Sequence, residues 1–447
     1  KFKLAKLSAL GPSNVRAAVS LASLNFHSRS RRSLCTTLNP SALTTLTTTM
    51  VGKTKVLCAL YPDPVSGFPP NYARDSLPTL ETYPDGTTLP SPGGIDFTPG
   101  ALLGSLSGEL GLRAFLEAQG HTLVVTTDKD GPGCEFERHL PDAEYVISQP
   151  FFPAYMTAER MAMAPKLRAC ITAGIGSDHV DLQAAMDRNV DVCEVTWCNS
   201  ISVAEHVVMS ILALVRNFVP AHEHAVGGGW NIADVVQRSY DLEGMHVGTV
   251  AAGRIGRAVL ERLKPFGVHL HYFDHHALPA DVEAALGAKR WDSWTEMAAH
   301  CDVITLNCPL HPATEHMVNS STIGCFKRGA FLVNTARGKL CDRDVIVNAL
   351  RTGQLGGYAG DVWFPQPPGP NHPWRSMPHN AMTPHISGTS LSAQTRYAAG
   401  VREILECYLE GKPIREEYQI VTKGALAGAG AHAYTAGNVT KGHDSAA

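Results

Sequence analysis

Ala251-Ala252-Gly253-Arg254-Ile255-Gly256 is the stretch whose residue types and spacing point most directly to a chemical task. It lies between an apolar run, 245–251, and a stretch of helical spacing that reaches about residue 266. A strand that turns into a helix over small residues is a phosphate-binding device. Gly253 lets backbone approach a pyrophosphate, and Gly256 lets the helix pack close to the strand. The helix start presents unpaired N–H groups and the positive end of its dipole to phosphate charge. A second apolar run, 268–273, ends at Asp274, 18 residues beyond Gly256. A carboxylate there suits two ribose hydroxyls and repels a 2′-phosphate, so the pattern favours NAD over NADP. Ala251 stands where the fingerprint has its first glycine. The plainer reading, a tight turn that needs small residues, does not require a strand, helix, second strand and terminal acid in order.

The elements that must carry this turn recur along the chain. Runs 55–61, 122–126 and 144–148 have strand length, and 107–119 has helical spacing before Gly120, a C-cap candidate. A Pro/Gly-rich stretch, 62–100, reads as wrapping loop. A long helix, 201–217, is apolar all round and reads as buried core or as part of a subunit interface. The strand–helix rhythm then restarts through 245–251, 268–273, 302–307, 330–335 and 357–362. Such alternation predicts parallel sheets covered by helices on both faces. The Gly/Ala-rich tail after Lys423 is expected to lie loosely on the surface.

Composition removes several function classes. A net charge of -3 over 447 residues gives no electrostatic footprint for nucleic acid. With 44% hydrophobic and 18% charged residues the chain reads as soluble and globular. The longest apolar stretch, 201–220, is interrupted by Glu205, His206 and Arg216, so no membrane span is expected. The 11 cysteines include no Cys-x-x-Cys pair, which suits free thiols in a reducing compartment better than a zinc ribbon or disulfide scaffold. His222-Glu223-His224 looks like a metal pair, but i and i+2 residues share no helical face. It reads as an exposed loop without a third ligand, and no metal site is expected. Residues 1–50 hold seven basic residues and no acid. Subtracting those seven from the 38 Lys and Arg leaves 31 against 41 acidic residues. A cationic, Ser/Thr-rich, acid-free start has transit-peptide composition, with mitochondrion preferred and plastid open.

Three later segments, Asn334-Thr335-Ala336-Arg337-Gly338, Asp361-Val362-Trp363-Phe364-Pro365-Gln366-Pro367 and Thr383-Pro384-His385-Ile386-Ser387-Gly388, resemble the D-isomer-specific 2-hydroxyacid dehydrogenase superfamily. There an Arg, an acidic residue and a His fill the corresponding slots. Here the acidic slot holds Gln366. With ITAGIGSDHVD, CNSISVAEHVV, NCPLHP and PHISGTS, that departure is similar to the NAD-dependent formate dehydrogenases, over residues 55–438. The resemblance implies an α/β fold of two doubly wound Rossmann-like domains. A cofactor domain, 200–386, would be inserted in a discontinuous substrate domain, 51–199 and 387–447, with a homodimer as the assembly.

The resemblance also implies roles. Arg337 and Asn199 would hold formate, His385 would be oriented by Gln366, and Ile175, Pro150 and Phe151 would wall the pocket. Cofactor contacts would come from Ser200, Ala251, Gly253, Arg254, Ile255, Gly256, Asp274, Pro309, His311, Thr335, Asp361, His385, Ser387 and Gly388. His275 follows Asp274 where many relatives carry Arg. The chemistry explains Gln366. A 2-hydroxy acid loses a hydride from carbon and a proton from its hydroxyl, so it needs a base, and a carboxylate beside the His raises its basicity. Formate loses only a hydride and becomes CO₂. A neutral or fixed donor His then suffices. Two rivals remain: a 2-hydroxyacid dehydrogenase or glyoxylate reductase, which Gln366 disfavours, and a non-catalytic NAD-sensing scaffold.

Overall fold

In the computed structural model, residues 53–62 and 109–427 are described; the expectations for residues 1–50, for the loop over 63–100 and for the tail beyond 427 lie outside them. Among the described residues, fourteen strands form two seven-stranded sheets, all within the unit Val51–Ala447. The first contains β1 (Lys55–Ala59), β2 (Thr122–Thr126), β3 (Tyr145–Ser148), β4 (Ala169–Thr172) and β5 (Asp191–Glu194). The second contains β6 (His246–Val250), β7 (His269–Phe273), β8 (Lys289–Trp291), β9 (Val303–Leu306), β10 (Ala330–Asn334), β11 (Leu355–Gly360) and β12 (Asn380–Met382). The chain then returns to the first sheet with β13 (Gln419–Thr422) and β14 (Ala425–Leu426). The orders are β14-β13-β5-β4-β3-β1-β2 and β12-β11-β10-β9-β6-β7-β8. All pairings are parallel except β13 with β5 and with β14.

Both sheets are apolar on both faces, which explains why their strands read as continuous hydrophobic runs. On β1, Val56 and Cys58 enter one core while Leu57 and Ala59 enter the other. In the second sheet Ile304 and Leu332 face one core, and Val303 and Val333 the opposite one. The helix Ser200–Val215 buries Val203, Val207, Ile211 and Leu214 against the second sheet. The helix Leu391–Glu410 buries Tyr397, Val401 and Ile404 against the first. The crossovers between the sheets meet where Ser202 Oγ lies 2.7 Å from Ser390 Oγ and buried Arg396 Nε donates to the Cys198 carbonyl at 2.5 Å.

Three expectations change. The helix predicted over 107–119 is only Arg113–Ala118, because Glu109 and Leu110 take left-handed conformations (φ 45° and 52°) that break it. His222-Glu223-His224 lies on a helix, Phe218–Val226, rather than in a loop; Asn217 (φ 50°) turns the chain into it. Beyond Lys423, Ala425 and Leu426 pair with β13 instead of lying loose. Among the described residues no single helix is long and apolar enough to cross a membrane.

Candidate active site

The residues singled out by their motifs gather at the C-terminal ends of the second sheet's strands. After β6, Ala251 takes φ 72° and passes the chain into the helix Arg254–Leu263. A Cβ on Gly256 would lie 2.1 Å from the Ala251 carbonyl oxygen, so only glycine fits, whereas one on Gly253 would meet nothing within 4 Å. The turn is thus closed on its helix side and open at Gly253, as a bound pyrophosphate requires. Asp274, after β7, accepts the Ala252 N–H at 2.8 Å through Oδ2 and the His276 N–H at 2.9 Å through Oδ1. It therefore fixes the turn as well as facing it. Arg254 lies over the Trp197 ring, joining the turn to the end of the first sheet's run. After β9, Thr314 Oγ1 ties the loop by donating to the Pro309 carbonyl and accepting the His311 N–H, each at 2.8 Å.

Arg337 follows β10 and reaches across to the loop after β4. Its Nε donates to Asp178 Oδ1 at 2.7 Å, Nη1 to the Ala336 carbonyl at 2.7 Å and Nη2 to the Ile175 carbonyl at 3.3 Å. A guanidinium has five N–H groups. One on each terminal nitrogen is left over, the number a carboxylate takes as a bidentate pair. Burial alone would raise the Asp178 carboxyl; the Arg337 guanidinium and His179 overrule it and bring it to about 2. Gly176 (φ 105°) makes room, because a Cβ there would lie 1.5 Å from Arg337 Nη2. Buried Glu194 anchors the same loop by accepting the Gly176 N–H at 2.8 Å. Ile175 packs partly buried against the first core.

His385 sits in the loop after β12 with φ 59°. Gln366 Nε2 donates to the carbonyls of Pro150 (3.3 Å) and Phe151 (3.2 Å), which leaves Oε1 facing His385 Nδ1 at 2.9 Å. An amide oxygen only accepts, so Nδ1 carries the proton. Burial pushes the imidazole down to about 4, with Arg337 adding to it against the pull of Asp361. His385 is therefore neutral near pH 7, with its Nε2 lone pair free of the proton. Phe151, buried, stands edge-on to the ring at 6.4 Å between centroids.

Asp361 mainly holds the His385 loop. It accepts the Thr383 hydroxyl (2.6 Å) and the backbone N–H groups of Ile386 (2.8 Å) and Ser387 (2.7 Å). Gly388 lies against Asn199, whose Nδ2 a Cβ would meet at 2.5 Å. Asn199 precedes the helix Ser200–Val215 without capping it. Asn199 Oδ1, Ser200 Oγ and Thr335 Oγ1 are buried with no hydrogen-bond partner among the described residues. Unpaired buried acceptors and donors are costly. Such unpaired buried atoms fit a polar ligand such as a dinucleotide.

Direct contacts thus join Arg337 to Ile175, Gln366 to Pro150, Phe151 and His385, Asp361 to the His385 loop, and Gly388 to Asn199. Sequence reasoning missed Asp178, Glu194 and Trp197. Asp178 and Glu194 act through folded contacts, and the only trace was the unassigned acid in GSDHVD. A cavity of about 150 Å³ lined by Leu214, Arg238, Phe331 and His379 lies at the opposite ends of the strands, away from this chemistry.

Residues 208–387 match the family model of the D-isomer specific 2-hydroxyacid dehydrogenase, NAD binding domain. The chain is 67% identical over 393 residues to a formate dehydrogenase of Pseudomonas sp. (strain 101), spanning 88% of this chain and 98% of that one. It is 51% identical over 325 residues to the chloroplastic/mitochondrial formate dehydrogenase of Arabidopsis thaliana, spanning 73% and 85%. The solved formate dehydrogenase of Granulicella superposes with a TM-score of 0.81 at 63% identity, covering 83% of this chain and 99% of that one.

Proposed function

The chain belongs to the formate dehydrogenases, and on that premise we propose that its cleft oxidises formate to CO₂ with NAD as hydride acceptor. The observation that carries the reading is the partner of His385. Gln366 is pinned by two carbonyls and presents only an amide oxygen. The ring is oriented without being made a stronger base, which suits a substrate that loses no proton. When bound, NAD supplies nicotinamide C4 as the hydride acceptor.

The chain's own residues position and polarise. Arg337 offers its two uncommitted N–H groups to the formate carboxylate, and Asn199 contributes its amide. Asp178 and the Ile175 carbonyl keep the guanidinium from swinging away. The orphaned polar atoms of Ser200 and Thr335, the Gly253 turn and Asp274 hold the dinucleotide, with Arg254, Ile255, Pro309, His311, Ser387 and Gly388 around it. Phe151, Pro150 and Ile175 exclude water and favour neutral CO₂ over the charged carboxylate. Positioning and fixed charge supply most of the acceleration.

NADH absorbance tests this directly. Formate is expected to generate NADH, while lactate and glycerate do not and glyoxylate does not consume it. Absence of formate-dependent NADH refutes the assignment.

The same reading takes 200–386 as the cofactor unit and 51–199 with 387–447 as the formate-facing unit. A homodimer is supported by the apolar residues Phe218, Val226, Trp230 and Ile232, at 60%, 74%, 89% and 74% exposure. Light scattering is expected to give twice the chain mass, reduced in Trp230→Glu. Residues 1–50 read as a mitochondrial address; fused to a fluorescent protein they are expected to direct it there, and diffuse fluorescence counts against it.

A further inference from the structure

Three histidines that formate oxidation does not use meet at the far side of the second sheet. His246 opens β6, His271 lies in mid β7, and His300 ends the helix Trp294–His300. His246 Nδ1 lies 2.8 Å from His271 Nε2 and 3.1 Å from His300 Nε2. The ligand-capable nitrogens of the three rings lie within 4.8 Å of one another. We propose that these rings form a binding site for one divalent transition-metal ion of the imidazole-binding kind, such as Ni²⁺, Cu²⁺ or Zn²⁺.

The spacing of the nitrogen set suits a single ion. Bonds of about 2.0 Å meeting at right angles place two nitrogens about 2.8 Å apart, and a tetrahedral angle places them about 3.3 Å apart. The two short edges, 2.8 and 3.1 Å, share His246 Nδ1 and fall within that range. Solvent completes the coordination, and the ordinary affinity order places Ni²⁺ and Cu²⁺ among the stronger-binding ions. His300 is exposed, His246 half-buried and His271 buried, so an ion enters from solvent and stops against β7.

The surroundings keep the rings neutral, as ligands must be. Burial and the neighbouring imidazoles lower His246, and they hold His271 to about 4. The ring of His269 stacks on His246 at 4.5 Å. Lys289 and Lys327 add positive charge that lowers these groups further, while Asp302 opposes it. Asp302 is engaged elsewhere: Oδ2 accepts the His246 N–H at 2.9 Å and Oδ1 the Lys327 ammonium at 2.6 Å. Imidazole is therefore the ligand type on offer.

One neighbour makes the event visible. Trp291 Nε1–H donates to His271 Nδ1 at 3.0 Å. Without metal, His271 must carry its proton on Nε2 and give it to His246 Nδ1. Binding at Nε2 shifts that proton to Nδ1, where it confronts the indole N–H. A metal-bound histidine donates through its other nitrogen, so Trp291 has to turn away. The site lies at the start of β6, about 16 Å along the strand from the phosphate turn.

The test uses the full chain, free of any affinity tag, stripped with chelator and titrated with NiCl₂ at neutral pH. Equilibrium dialysis is expected to show one tightly held ion per chain, accompanied by a change in tryptophan emission. His300→Ala, at an exposed position, is expected to weaken that binding about a hundredfold or more. Its circular dichroism and its formate-dependent NADH production in chelator should match the parent. Trp291→Phe is expected to tighten binding by removing the opposing donor. No tight ion in the parent chain overturns the proposal, and so does equal affinity in His300→Ala.

Discussion

His385, after the last strand of the second sheet, and His271, in β7 beside the edge strand β8, are both pushed down to about 4, yet their neighbours select opposite tautomers. At His385 an amide oxygen accepts from Nδ1, so the proton stays there. At His271 an indole N–H occupies Nδ1, so the proton sits on Nε2. Burial decides that each ring is neutral; the partner decides which nitrogen keeps a lone pair. In the cleft this gives an oriented ring that never has to titrate. On the far side it gives a chain of ring hydrogen bonds that a metal ion has to rearrange.

The severest way to break the cleft half of this contrast is Arg337→Ala. It removes the charge meant for the carboxylate, and turnover is expected to fall by about a thousandfold or more. Retention of most activity would refute the role. Gly176→Ala comes next. Its methyl would overlap Arg337 Nη2 and its φ is left-handed, so kcat/KM is expected to fall about a hundredfold in steady-state assays with formate.

Gln366→Glu sharpens the comparison by giving His385 an ionisable partner. The carboxylate favours imidazolium and should raise the ring's pKa from about 4 toward neutrality. The pH–rate profile, expected to be flat between pH 6 and 8 in the parent, should acquire a titration there, with about tenfold lower turnover. An unchanged flat profile would separate Gln366 from His385.

Acid stability probes one buried histidine in each region. His179 and His271 are both buried and held to about 4 against an ordinary value of 6.5. The unfolded chain binds their protons first, so stability is full above about pH 6.5 and falls as pH drops toward 4. Urea midpoints should follow that window. Trp291→Phe frees His271 Nδ1 and is expected to reduce the slope, with little effect on formate turnover. The smallest effect is expected between the two sites, at Ala251. Ala251→Gly relieves a left-handed conformation and should stabilise by at most about 1 kcal/mol after the entropy cost of glycine. Thermal unfolding checks it.

Much of the fold was legible because its signals are short-range. The turn from β6 through Gly253 to Asp274 announces itself within a single strand–helix–strand unit. Strands β4, β5, β8, β12, β13 and β14 were not read. They are runs of two to four residues, and runs that short do not separate from buried helix or loop by periodicity. The helix over 107–119 failed for a different reason: two residues with positive φ carry no mark in their side chains.

The sequence by itself determined the residue types: an arginine, an amide in place of an acid, a histidine, small residues at the phosphate turn and an aspartate after β7. Local spacing was sufficient, since each motif's backbone geometry is set by its immediate neighbours. Only the tertiary structure decided what those residues can do. Asp178 meets Arg337 across 159 positions, and Gln366 meets the Pro150 carbonyl across 216. Those long-range contacts set which N–H groups remain free, which way the amide faces and which imidazole nitrogen is protonated. Hydrogen-bond direction depends on the partner, and folding brings the partner.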